Sequence, residues 1–246
     1  MKLTALQIKT SYSILNSLND IKKLVLRAAN YGYDALAITD LNNMFGVMEF
    51  HEECKKNNIK PIIGIELTID DSEILLYAKN NEGYKNLIKL STIVSERNLT
   101  IEDLKEYQDN LILVMPFLYY NKEIYKIYKD KYVGYTSKEE KDKIKDKCVF
   151  INNVSYLDKE DSVYLDYAKM IKEGKIVGEY EINETNDNYL YTKEELLKLV
   201  SSDTLETMSE IVDNCNVELT YKEGLLPIYD KDIDSKDYLR KMSLKV

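Results

Sequence analysis

Residues 35–43, ALAITDLNN, limit what this chain can fold into more than any other stretch. Residues 35–39 form a short apolar run, the pattern of a strand buried on both faces. Gly32 stands before the run as a helix stop, and Asp40, Asn42 and Asn43 follow it as turn formers. A helix is predicted from about Met44 to Asn57, and a second apolar run, residues 61–65 (PIIGI), ends in Glu66. The unit is strand, helix, strand, with a carboxylate just past the end of each strand. In α/β proteins with parallel strands that edge is where chemistry sits, because its loops vary while the sheet holds them in place.

The alternation continues along the chain. Residues 4–9 read as a first strand, followed by a helix with an apolar stripe at Ile21, Leu24, Val25, Ala28 and Ala29 and a cap at Ser17 or Asn19. Residues 74–78 (ILLYA), 111–115 (LILVM, stopped by Pro116) and 148–151 (CVFI) read as further buried strands, with a shorter one at 132–135. Helices are predicted at 82–95, 122–131, 137–145, 159–173 (closing at Gly174), 193–200 and 203–214, and from Ser235 onward. Thr100 with Asp103, and Thr192 with Glu195, have the spacing of capping boxes. This order predicts a parallel α/β architecture, which the pattern leaves open between a closed barrel and an open sheet.

A length of 246 residues suits one large barrel or two small domains. The net charge of −9 and the presence of only three arginines disfavour nucleic-acid binding, which draws on Lys and Arg to neutralise phosphates and on Arg to read bases. Met1-Lys2-Leu3 leads straight into polar sequence, without a signal peptide, and no run approaches the ~20 apolar residues of a membrane span, so a cytoplasmic protein is expected. Cys54, Cys148 and Cys215 are odd in number and far apart, as reduced thiols are. The eight glycines form no nucleophile elbow, Walker loop or phosphate cradle. Tyr119, Tyr120, Tyr125, Tyr128, Tyr132 and Tyr135 suit either a packed core or a stacking platform, and the lack of interleaved Arg favours packing. Asp230, Asp232 and Asp234 have EF-hand-like spacing, but Ser235 stands where the turn glycine belongs and Lys241 where the bidentate glutamate belongs; a solvated linker is expected.

TDLNNMFGVMEF followed by KPIIGIE resembles the PHP domain (polymerase and histidinol phosphatase) of bacterial replicative DNA polymerase III alpha subunits, which reads close to T-D-H-G-N-M-x-G and then P-I-I-G-x-E. KTSYSILNS (9–17) sits where that family has H-S-x-Y-S-L-L after a strand ending in histidines. EGYKNLIKL (82–90) resembles E-G-Y-x-N-L, and NNVSYL (152–157) resembles N-D-V-H-Y-L. EIVDNCNVE (210–218), then Leu226-Pro227, resembles the helix and L-P that close the domain. These matches run in order along nearly the whole chain. The resemblance implies a distorted (β/α)7 barrel followed by a few helices, with the PHP domain over residues 1–228 and a linker and the start of a polymerase core over 229–246. It implies a chain that supports the rest of a polymerase and offers surface to replisome partners such as a proofreading exonuclease, meeting DNA only through the parent polymerase.

Active PHP domains bind a cluster of metal ions, held mostly by histidines, at the C-terminal ends of their strands. Here there is one histidine. Gln7-Ile8-Lys9 stands where the family has H-x-H, Thr39-Asp40-Leu41 where it has T-D-H, and Asn153-Val154-Ser155 where it has D-x-H. Only Asp40 and Glu66 remain of the ligands the resemblance places. The expected reading is a vestigial pocket of Gln7, Lys9, Asp40, Leu41, Glu66, Asn153 and Ser155, without catalysis or cofactor. Mg2+ or another hard cation could meet Asp40 and Glu66, but two carboxylates are too few for a tight site. The other reading is an active phosphoesterase, a pyrophosphatase or 3'-5' exonuclease, with an altered metal set. His51, on the helix after the second strand, reads as a packing or surface residue. Lys9, in the place of a family histidine, is expected to balance the two carboxylates, with Gln7, Asn153 and Ser155 hydrogen-bonding around it. Tyr238, Leu239, Met242 and Leu244 resemble one face of a helix whose partner lies in the polymerase core.

Overall fold

The computed structural model describes residues 2–176, 187–220 and 233–244. Seven strands form one sheet in chain order: β1 (Thr4–Ala5), β2 (Ala35–Ile38), β3 (Lys60–Ile69), β4 (Ser72–Ala78), β5 (Leu111–Pro116), β6 (Asp130–Tyr135) and β7 (Cys148–Phe150). The first three are mutually parallel, as are the last three. The sheet curls until its edges meet. Just past β1, Ile8 bridges Val154 just past β7; the Lys9 N–H donates to the Val154 carbonyl at 3.0 Å and the Val154 N–H to the Gln7 carbonyl at 3.0 Å. The expected barrel of seven strands is therefore present, with helices outside it.

The third strand and the turn after it differ from the sequence reading. β3 does not stop before Glu66 but runs on to Ile69, so Glu66 is a mid-strand residue. The strand then turns through Asp70 and Asp71 into β4, and β4 is antiparallel to both β3 and β5. Asp70 takes the left-handed conformation (φ 49°), which Asp tolerates better than most residues. Alternating helices predict only parallel neighbours; a two-residue turn permits a hairpin inside such a sheet. Gly64 allows the close fit of that hairpin, since a Cβ there would lie 2.7 Å from the Tyr77 ring and 2.8 Å from the Leu76 carbonyl oxygen.

The helices are α1 (Ile21–Asn30), α2 (Val47–Lys56), α3 (Asn81–Glu96), α4 (Ile101–Glu106), α5 (Lys122–Ile127), α6 (Lys138–Lys141), α7 (Ser162–Glu173), α8 (Lys193–Leu199), α9 (Ser202–Asn214) and α10 (Ser235–Ser243). Ile21, Leu24, Val25 and Ala28 of α1 are buried, the stripe its spacing dictates. Asp20 caps it, accepting from the Lys23 N–H, rather than Ser17 or Asn19. Both capping boxes form. α5 is shorter than expected because β6 begins at Asp130, and α6 spans only four of the residues expected to be helical. Gly174 closes α7 in the left-handed conformation, at φ 65°. Tyr125, Tyr128, Tyr132 and Tyr135 are buried, which makes most of the tyrosine cluster core. Leu226-Pro227, Asp230, Asp232 and the expected boundary at 228/229 lie outside the described residues; Asp234 serves as the N-cap of α10.

Candidate functional site beside the first three strands

The backbone brings Asp40 and Glu66 together before any side chain is considered. Pairing of β2 with β3 continues past Ile38, with Leu41 bridging Glu66. The Glu66 N–H donates to the Asp40 carbonyl at 3.1 Å and the Asn42 N–H to the Glu66 carbonyl at 2.8 Å. Asn42 sits in the left-handed region (φ 57°), where Asn is among the better-tolerated residues. Its side-chain oxygen accepts from the Thr68 N–H at 2.9 Å, which locks the β2 loop to the continuing strand.

Both carboxylates are buried, each 1% exposed. Glu66 meets a cation: Lys9 Nζ lies 2.7 Å from Glu66 Oε1, and the Lys9 side chain is only 8% exposed. Gln7 Nε2 donates to the other oxygen at 2.8 Å. Asp40 is held by neutral donors from the loop after β1. The Thr10 N–H and Ser13 hydroxyl reach Oδ1 at 2.7 and 2.6 Å, and the Thr10 hydroxyl reaches Oδ2 at 2.7 Å. Ser13 Oγ in turn accepts from the Leu41 N–H at 3.0 Å. Burial pushes the Asp40 carboxyl above its ordinary range, against the pull of the Ser13 and Thr10 hydrogen bonds and of the Lys9 charge.

The backbone of Lys9 is as firmly held as its ammonium. Its carbonyl accepts from Ser17 Oγ at 2.7 Å and from Asn19 Nδ2 at 2.9 Å. Ser17 and Asn19 also reach the carbonyls of Ser155 and Val154, so they tie the loop after β1 to the segment after β7. The two residues expected to cap α1 serve instead at the barrel seam.

The structure gathers Gln7, Lys9, Asp40 and Glu66 as the sequence reading expects. Leu41 contributes through its backbone. Asn153 and Ser155 depart from the reading: the Ser155 hydroxyl bonds the Asn153 carbonyl and side-chain oxygens at 3.2 and 3.3 Å, and neither residue hydrogen-bonds Lys9. Gln7, too, binds Glu66 and not the ammonium. Thr10, Ser13 and Glu73 were not foreseen. Glu73 stands across the β3–β4 hairpin from Thr68, half-buried and raised in pKa first by burial and then by the Glu66 charge. Thr10 and Ser13 are ordinary polar loop residues in sequence; only the neighbouring Lys9 gave a signal there.

Among the described residues no three His, Cys, Asp or Glu side chains come together in a way that could hold a metal ion. His51 is buried on α2, and its Nε2 accepts from the Leu219 N–H at 3.5 Å. Burial and the Lys55 charge push its pKa down. It packs the segment after α9 against α2, the expected packing role. The three cysteines are free thiols.

The PHP domain family model matches residues 5–175, the span from β1 to the end of α7. This chain belongs to the PHP domain family. The DNA polymerase III subunit alpha of Halalkalibacterium halodurans is 29% identical over 284 residues, covering 98% of this chain and 25% of that one. The protein of the same name from Staphylococcus epidermidis is 31% identical over 245 residues, covering 95% and 23%. The PHP chain thus spans about a quarter of the length of these relatives and is homologous to them along nearly all of its own. A solved structure from Bifidobacterium adolescentis, named as a metal-dependent phosphoesterase, aligns over 87% of this chain and 96% of its own with a TM-score of 0.41 and 11% identity. Among the described residues no helix is long and apolar enough to cross a membrane.

Proposed function

We propose that this chain is the PHP region of a bacterial replicative DNA polymerase III alpha subunit, that it has a structural role there, and that its own pocket performs no catalysis. The observation that carries the reading is the Lys9–Glu66 ion pair inside the pocket. A PHP metal cluster needs several neutral imidazoles and carboxylates with free oxygens. Here the position nearest Glu66 holds an ammonium, which repels divalent cations and cannot ligate while protonated. Both Asp40 oxygens already accept from Thr10 and Ser13. These residues do not fit a metal cluster.

A barrel with this pocket resists local opening at the seam where β1 meets β7, and it can serve as a fixed support for polymerase elements beyond residue 228. Homology to polymerases supports a place in the cytoplasm and a surface for replisome proteins such as a proofreading exonuclease. The test is metal analysis of protein purified without chelator, paired with pyrophosphatase, phosphoesterase and exonuclease assays. Background activity and sub-stoichiometric metal are expected. Stoichiometric zinc or manganese, with hydrolysis abolished by Asp40→Ala, would establish an active centre instead.

A further inference from the structure

We infer that the outer face around β6 carries a docking recess for an acidic peptide bearing one apolar side chain. A cavity of about 420 Å³ opens between the turn after β5, strand β6 and the loop before β7. Phe117, Tyr120, Val133 and Ile144 give it apolar walls, and Lys143 and Lys145 stand at its edge. Tyr120 extends one wall: its ring lies 5.3 Å from that of Tyr125, and Lys131 Nζ sits 5.0 Å above the Tyr125 ring. Leu118, in the same turn, is 77% exposed.

The charge around this recess runs against that of the chain. The whole carries −9, and many of its lysines are neutralised locally, as in the pairs Lys55–Glu218, Lys79–Asp130 and Lys147–Glu210. Lys143 and Lys145 are exposed and have no carboxylate partner among the described residues. Lys131 on the adjoining β6, over the Tyr125 ring, has none either. One carboxylate, Asp146, lines the recess against these cations. Apolar walls inside a positive rim complement an apolar anchor flanked by Asp and Glu: the walls supply affinity, and the rim supplies steering and selectivity. A single-stranded nucleic acid would share the preference for positive charge, but the recess has no arginine and its walls are aliphatic as well as aromatic, which suits a side chain better than a base.

The test is a fluorescence-anisotropy titration with a labelled short peptide carrying one central Phe between runs of Asp and Glu. The inference expects saturable binding that weakens with added salt. It expects a loss of tenfold or more with Lys143→Glu/Lys145→Glu, two exposed positions whose exchange leaves the circular dichroism spectrum unchanged. A similar loss is expected when the peptide has Ala in place of Phe, a control that requires no change to the protein. No saturable binding, equal binding by the charge-reversed variant, or tighter binding of a homothymidine oligonucleotide than of the peptide would each overturn the proposal.

Discussion

Just past the ends of β1 and β2 and within β3, the protein buries Lys9, Asp40 and Glu66; around β5, β6 and β7 it buries Tyr128, Tyr132, Tyr135 and Phe150. The first region pairs its buried charges. Each carboxylate oxygen there is met by a donor or a cation, because an unpaired buried charge costs several kcal/mol (about 3–5). The second region gains its stability from area and shape and buries no charge. The Tyr135 hydroxyl finds Thr204 at 3.1 Å, while the equally buried Tyr128 hydroxyl has no hydrogen-bond partner among the described residues. Within one sheet the buried charges are paired, while uncharged polar atoms are left without a hydrogen-bond partner among the described residues in both regions, Asn19 Oδ1 in the first and the Tyr128 hydroxyl in the second.

The sharpest way to break this comparison is Lys9→Met. Removing the ammonium leaves Glu66 buried and uncompensated, and the expected loss is about 3 kcal/mol in urea or thermal unfolding. A loss under ~0.5 kcal/mol would place the pocket in the same class as the aromatic region. Gln7→Leu comes next. It strips the second partner from Glu66, and removing a hydrogen bond to a charged group is worth about 2 kcal/mol. In the aromatic region Tyr128→Phe should have the opposite sign, neutral or stabilising by up to ~1 kcal/mol, since it deletes a hydroxyl that folding desolvates without return. Destabilisation there would show that the orphan is satisfied in solution.

The outline of this fold was legible because burial writes itself into sequence as period and punctuation. β2 and α1 follow from ALAI before Asp40 and from the stripe of Ile21, Leu24, Val25 and Ala28. What was not legible depends on tertiary geometry. The continuation of β3 through Glu66 to Ile69 looks like a strand ending, because a charged residue normally marks one; the Lys9 ammonium and the Gln7 amide make it tolerable inside the barrel. Ser17 and Asn19 have capping chemistry, and their use at the β1–β7 seam depends on where Lys9 and Val154 meet. The pocket was half visible. Lys9, Gln7, Asp40 and Glu66 stand at places that the PHP pattern marks. Thr10 and Ser13 do not stand out, since hydroxyl residues in a loop carry no signal until a carboxylate faces them.

A smaller effect sharpens the comparison through pH. The folded protein holds the Asp40 proton more tightly than the unfolded chain does, because burial raises its pKa above the ordinary 3.8. The stability from this group is fully present below that ordinary value and is lost as pH rises through the elevated folded value. Relative to Asp40→Asn, which does not titrate, the wild type should therefore lose ground across that window and level off above it. Urea midpoints of both proteins at a series of pH values measure it. A wild type that gains on the variant as pH rises would mean that Thr10, Ser13 and Lys9 outweigh burial.

The account stands most directly on the coupling between Lys9 and Glu66. A double-mutant cycle with Lys9→Met and Glu66→Gln, read by equilibrium unfolding of the four proteins without added metal, isolates that term. If the ammonium is the built-in counter-charge of the pocket, neutralising Glu66 rescues part of the loss caused by Lys9→Met, and the coupling is about 1–3 kcal/mol. Additivity of the two substitutions within ~0.5 kcal/mol would contradict it, and with it the reading of this PHP pocket as held by a protein cation.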